Sequence, residues 1–195
     1  MLNYTTATAI KDLEEILTLQ KANLTAGLSA QEIQSQGFVT VNHSYELLKS
    51  LNDREKHVIA RDEDKVVGYL LAMTQQSKSD VPVLVPMFTE FGIIVYKNKK
   101  VDAYNYIVVG QVCIDRNYRG QGILDNLYAA YKNYYSSKYD FAITEIASNN
   151  LRSLNAHKRI GFTEIHNYCD PENIKWIVII WNWEKPPDLM QRSNL

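Results

Sequence analysis

The chain has 195 residues and a mass of 22.4 kDa, and 46% of its residues are hydrophobic, which suits one domain with its own core. Its 21 basic and 22 acidic side chains leave a formal charge of −1, so no general field draws in nucleic acid or anionic lipid, and neither is expected as a partner. Two cysteines, Cys113 and Cys169, and four scattered histidines, His43, His57, His157 and His166, supply neither a disulfide framework nor zinc-ligand spacing. No metal is expected, the longest apolar runs are strand-sized and the N-terminus reads as no export signal, so a cytoplasmic protein is expected.

In chain order, residues 2 to 7 predict an opening strand, and Ile10, Leu13, Ile16, Leu17 and Leu19 predict a helix reaching about Ala22. A second helical stretch runs between Ser29 and Leu51, broken near Gly37, with Tyr45, Leu47, Leu48 and Leu51 as its later apolar positions. A hairpin follows, from His57 to Ala60 and from Val66 to Met73, joined by the charged turn Arg61 to Lys65. Residues 77 to 104 read as a variable insert, because Pro82, Pro86 and Gly92 interrupt any long element and the lysine-rich run 97–100 signals a turn. Tyr106 to Ile114 is apolar on both alternating faces, as a central strand covered on both sides requires. Leu124, Leu127, Tyr128, Tyr131, Tyr134 and Tyr135 then recur at intervals of three and four, predicting a helix with one stripe against the sheet. Phe141 to Ile146 and Ile174 to Trp183 read as two further strands, the second a long final one that, with Trp176, Trp181 and Trp183, could pair with a second copy in a homodimer. One domain over residues 1–185 and a tail over 186–195, after Pro186 and Pro187, complete the expected organisation.

The most informative segment joins the Tyr106–Ile114 strand to the tyrosine-rich helix through Asp115-Arg-Asn-Tyr-Arg-Gly-Gln-Gly122. Gly120 and Gly122 allow a tight curl with no Cβ in the way, so successive N–H groups and the positive end of the next helix converge on one anion. The same spacing also fits a strand-to-helix turn that binds nothing. A nucleoside triphosphate site is disfavoured, since no Lys-Ser or Lys-Thr follows the glycines to reach terminal phosphates or magnesium.

Taken with Asn150, Ser153, His157 and the Gly161-Phe162 pair downstream, this segment resembles the GCN5-related N-acetyltransferase superfamily, whose two signatures occur here in order and each at a strand-to-helix junction. The resemblance is sharp over residues 106–164 and departs from the pattern at Leu124, where a small residue is usual, and at His157, where many relatives have tyrosine. It implies an α/β acyl-CoA N-acyltransferase fold, with a central mixed, mostly antiparallel sheet flanked by helices on both faces. It also implies transfer of an acetyl group from acetyl-CoA to a primary amine of a small-molecule or peptide acceptor, by direct attack in a ternary complex. Cofactor contacts are then expected from Val112, Cys113 and Ile114 as an edge for the pantetheine arm, from Arg119, Gly120, Gln121, Gly122, Ile123, Leu124 and Asp125 around the pyrophosphate, and from Asn150 and Ser153.

Two residues are expected to be catalytic. An amine is protonated at neutral pH and needs a base; Glu145, in the strand beside the cradle strand, is the first candidate, and Glu90 is the second choice. The resemblance implies that role for Glu145, because in some members of the superfamily a glutamate five residues before the signature asparagine is the base. It also fits a strand-end carboxylate in a salt bridge. His157 shares a helical face with Asn150 and Ser153 and stands where relatives have the tyrosine proposed as acid. The resemblance thus implies an acid toward the departing sulfur, as imidazolium or as a neutral hydrogen-bond donor, although a helical histidine also fits a purely structural role. Cys113 lacks a basic neighbourhood that would make it a nucleophile and reads as a core residue. A backbone N–H of Cys113 or Ile114 is the expected oxyanion donor. A coenzyme A-binding or regulatory domain without turnover is the alternative, kept open by Leu124 and by the absent tyrosine.

Overall fold

The computed structural model describes residues 1–24, 39 and 41–183. The early part of the expected Ser29–Leu51 helical stretch, its break near Gly37, and the 186–195 tail lie outside the described residues. Strand β1 (Leu2–Thr6) and helix α1 (Ile10–Lys21) open the fold, and helix α2 (Tyr45–Arg54) follows behind a Ser44 cap whose hydroxyl accepts from the Leu47 N–H at 3.2 Å. The hairpin β2 (Val58–Asp62) and β3 (Lys65–Met73) leads to the insert, which carries helix α3 (Val85–Phe91) and the small hairpin β4 (Val95–Tyr96) and β5 (Lys99–Lys100). Next come β6 (Tyr106–Ile114), α4 (Ile123–Tyr135), β7 (Phe141–Ala147), α5 (Leu151–Ile160), β8 (Thr163–Cys169) and β9 (Lys175–Asn182).

Seven strands form one sheet in the order β1-β2-β3-β6-β7-β9-β8, antiparallel throughout except for the central β6/β7 pair. Alternation along β3 sends successive side chains to opposite layers. Tyr69 and Leu71 pack with Leu13, Ile16 and Leu48 of α1 and α2, whereas Leu70 and Ala72 pack with Leu127, Tyr128 and Tyr131 of α4. A third cluster packs Met87, Phe88 and Phe91 of α3 against Tyr106, Val108, Phe141 and Ile143. The mixed, mostly antiparallel sheet with helices on both faces is thus the architecture that the resemblance implies.

Three expectations are corrected. The last long strand is no free edge: β9 is bonded on one side to β7 and on the other to β8, so a second copy cannot pair with it and the edge belongs to β8. In α4 the stripe begins at Ile123, which is buried, while Leu124 is half-buried and Tyr134 is 41% exposed; a period of 3.6 carries position 134 past the sheet. The insert is more ordered than its prolines imply. Pro86 falls in the first turn of α3, where a missing N–H costs nothing, and the lysine-rich turn closes a hairpin with Lys97 and Asn98 both at positive φ, 46° and 69°.

Two features of β6 shape the centre of the sheet. Its pairing with β3 slips between Leu71 and Ala72, which leaves Gly110 as the extra residue of a bulge. Its parallel pairing with β7 covers only Tyr106–Val108 against Phe141–Ile143, and beyond that point the two strands part. The Thr144 hydroxyl spans the start of the gap, donating to the Val109 carbonyl at 2.8 Å.

Buried polar groups tie the N-terminal layer to this point. Gln20 donates to His43 Nδ1 at 2.8 Å and to Gln111 Oε1 at 2.7 Å, Tyr69 donates to the same Gln111 oxygen at 2.7 Å, and Gln111 donates to the Val41 carbonyl at 2.8 Å. His57 is fully used as a neutral imidazole, accepting from the Ala72 N–H at 3.1 Å on Nδ1 and donating from Nε2 to the Leu48 carbonyl at 3.1 Å. Burial pushes the pKa of His57 down to about 3 and those of His43 and His157 down to about 4, against 6.5 for an exposed histidine. The unfolded chain takes up protons as pH falls through 6.5, and the native state does not until about 4. The stabilisation is therefore complete above 6.5 and is lost below it, at up to about 1.4 kcal/mol per pH unit for each group. Glu145, pushed up to about 7, has the opposite sign between 7 and 4.5 and offsets part of that slope. Urea midpoints should accordingly fall as pH drops from 6.5 to 5, and a constant midpoint over that range would contradict the neutral, buried assignment.

Candidate active site

Gly120 and Gly122 adopt φ of 78° and 76°, a region in which other residues are strained, and a Cβ built on either would meet nothing within 4 Å. Their outer faces thus look onto open space. Gly122 caps α4, whose first N–H groups have no partner within the helix and point back toward that space. A cavity of about 490 Å3 lies over this turn. It is lined by Val112, Cys113, Ile114, Arg119, Gly120, Gly122, Ile123, Leu124, Asp125, Asn150, Ser153 and His157, all named from the sequence. Gln121 is the exception: its side chain is exposed and donates to the Asn117 carbonyl at 3.0 Å.

Residues that sequence reasoning missed complete the wall. Arg152 and Arg159 line the same cavity from α5, and Arg159 pairs with Asp125. Asn23 and Val39 approach from the N-terminal layer, where Asn23 Oδ1 accepts from Arg119 at 2.7 Å while Arg119 Nε donates to the Ile114 carbonyl at 3.2 Å. The arginines give this end of the site a cationic rim. Arg152 and Arg159 were legible only as charges on a helix next to the cradle, and nothing in the sequence signals that Asn23 would reach it.

A second cavity of about 100 Å3 continues from the first, sharing Val39, Val112, Asn150, Ser153 and His157, and it runs into the gap between β6 and β7. Gly110, Thr144, Glu145 and Trp176 line its far side. Those four, with Val41 and Val109, also line a third cavity of about 220 Å3, whose outer wall comes from the insert and from the β8–β9 connection. The three cavities therefore form a passage through the sheet with Glu145 at its waist. Burial pushes Glu145 up to about 7, reinforced by the nearby carboxylates Asp170 and Glu90 and opposed by Tyr168, whose hydroxyl donates to Glu145 Oε2 at 2.7 Å. Tyr168 lies 23 residues from Glu145 and two strands away, beyond the reach of any sequence pattern. Glu90 faces His166 instead, with 3.2 Å between Oε2 and Nε2.

His157 lines the passage, yet both its nitrogens are occupied. Nδ1 lies 2.8 Å from the Ser153 carbonyl and must donate to it, so Nε2, 2.6 Å from the Tyr128 hydroxyl, accepts. With 2% of its surface exposed, it is a neutral link between α4 and α5 that packs edge-on against Phe162. Burial disfavours its charged form, with the pKa pushed down to about 4. Asn150 caps α5, accepting from the Ser153 N–H at 3.2 Å. Burial raises the Cys113 thiol to about 12, which keeps it protonated and agrees with a structural role.

The fold is similar to several solved acetyltransferases. The ribosomal-protein-S18-alanine N-acetyltransferase from Escherichia coli superposes with a TM-score of 0.61 at 11% identity, over 97% of this chain and 99% of the other. Arabidopsis thaliana NAA60 in complex with acetyl-CoA gives 0.62 at 12% identity over 94% and 99%, and the NatC complex bound to Gag peptide and CoA gives 0.62 at 14% identity over 94% and 99%. No curated protein matches the chain by sequence. A family model for the Acetyltransferase (GNAT) family matches residues 28–162, more than half of the chain, and the protein with this cradle and divided sheet belongs to that family.

Proposed function

We propose that the protein transfers the acetyl group of acetyl-CoA to a primary amine, with the cofactor in the cradle cavity, the acceptor in the third cavity and the chemistry at Glu145 between them. The observation that carries this reading is the shared waist: Glu145, a half-buried carboxylate whose pKa is near neutrality, lines both the cavity that continues from the cradle and the third cavity. The glycine turn, the start of α4 and the arginine rim offer donors and positive charge to a diphosphate. Bound acetyl-CoA supplies the thioester. The parted end of β6 presents backbone amides that suit the pantetheine arm and the developing oxyanion.

Glu145 takes a proton from the acceptor ammonium, directly or through one water, and the freed nitrogen forms a bond to the thioester carbon. When the tetrahedral intermediate collapses, the C–S bond breaks and the nitrogen gives up its second proton, which the thiolate takes. No separate acid is required. His157 is accordingly a positioning residue that fixes the α5 face bearing Asn150 and Ser153.

Thiol release from acetyl-CoA across a panel of amines tests the reading. Wild type should turn over with kcat/KM rising through about pH 7, as a base of that pKa requires. Glu145→Gln should lose about 10²-fold or more in turnover while keeping its affinity for coenzyme A. Tyr168→Phe removes a bond that favours the charged carboxylate, so the acid limb should move to higher pH with activity largely regained in alkaline buffer. Cofactor binding without thiol release from any amine would favour the non-catalytic alternative.

Gly122→Ala should lose about 1 kcal/mol of stability through the left-handed backbone and weaken coenzyme A binding roughly tenfold or more, measured by calorimetry, since its Cβ enters the cradle. His157→Ala should cost roughly 2–4 kcal/mol because it opens a cavity and strands the Tyr128 hydroxyl, and adding Tyr128→Phe should recover part of that loss. Turnover of folded His157→Ala that fell by about 10² or more would return the histidine to acid catalysis.

A further inference from the structure

The third cavity has a character of its own that bears on the acceptor, and the inference below rests on the proposed transferase reading. Its walls are mostly apolar: Leu84, Pro86 and Met87 from the insert face Ile174 and Trp176. Val83 and Ile174, at its mouth, are 66% and 43% exposed, and Val85 beside them is 39% exposed. Large apolar side chains left in water around one opening mark a surface that something apolar covers. Apart from Thr144, whose hydroxyl donates to the Val109 carbonyl, the polar side chains among the described lining residues form two groups. Glu145 with Tyr168 closes the inner end, and Asp170 with Glu172 stands at the β8–β9 connection, where Asp170 is held by the Ile174 N–H and the Trp176 indole N–H, both at 2.8 Å. At about 220 Å3 the cavity is smaller than the roughly 300–1,000 Å3 usual for a whole drug-sized ligand, so it takes a compact head and leaves the remainder outside.

We propose that the acceptor is a primary amine carried on a compact apolar body, aliphatic or aromatic, which fills the space between the insert and Trp176 while its ammonium faces Glu145. The carboxylates supply the field that admits a cation, and the wall of Leu84, Pro86 and Met87 disfavours acceptors whose body carries hydroxyls or further ammonium groups against it, since those would be buried there without partners. Such a head can belong to a free amine or to the first residue of a peptide with an apolar side chain. The same cavity serves both.

The test compares phenylethylamine and hexylamine, short peptides beginning with leucine or phenylalanine, spermidine, and an aminoglycoside, with thiol release as the readout. The apolar amines or the apolar-headed peptides should exceed spermidine and the aminoglycoside by roughly tenfold or more in kcat/KM, and whichever of the first two classes leads identifies the source. Val83→Asp and Ile174→Asp, both at exposed positions, should raise KM for the leading acceptor by roughly tenfold and leave the affinity for coenzyme A unchanged. Calorimetric titration of phenylethylamine and of the leucine peptide into the coenzyme A complex gives a reading that needs no turnover. Thiol release led by spermidine or the aminoglycoside, or a KM indifferent to both substitutions, overturns the acceptor assignment and leaves the transferase intact. Absence of thiol release with every amine, together with absence of amine binding, overturns both.

Discussion

The parting of β6 from β7 is the constraint on which the rest of the molecule depends. A parallel pair that stayed bonded along its length would bury Glu145 in a closed sheet and separate the two faces. Here pairing stops after Val108 and Ile143, and the Gly110 bulge turns β6 away at the next residues. Thr144 satisfies the Val109 carbonyl at the fork, so the backbone loses little where the ladder ends. What the sheet gives up in hydrogen bonds becomes a passage joining a cationic cavity to an acidic one.

That polarity runs the length of the passage. Arg119, Arg152 and Arg159 stand at the cradle end, and Glu145, Asp170 and Glu172 line the other. The proposed placement of an anionic nucleotide at the first end and a cationic amine at the second agrees with that polarity. With Glu145 as the proposed base, the approach of an ammonium would itself favour its ionised form.

Legibility followed the range of the interactions. The cradle could be read because each requirement is local: Gly120 and Gly122 supply the curl, the strand before them and the helix after them follow within a few residues, and Asn150 caps its own helix. Sheet composition and the helix stripe could be read for the same reason. Strand order could not, and with it went the position of β9 and the meeting of Tyr168 with Glu145, which depend on two hairpin registers at once. His157 shows the limit of reasoning by position alone. Its place on α5 was right, but the Ser153 carbonyl fixes its proton on Nδ1, and Tyr128, on another helix, takes up its second nitrogen. The insert was unreadable because its prolines begin helical turns rather than ending them, a distinction set by one residue of phase.

The hydrogen bonds from Arg119 to Asn23 and from Gln111 to the Val41 carbonyl carry a further meaning for how this architecture can be taken apart. The diagnostic glycines lie in the second half of the chain, yet the roof over them is drawn from its first quarter. A fragment beginning at the hairpin would keep every signature residue and still present a trough open along one side. The half that carries the cradle is consequently no portable module: evolution or an engineer wishing to transplant it must carry the opening helix along.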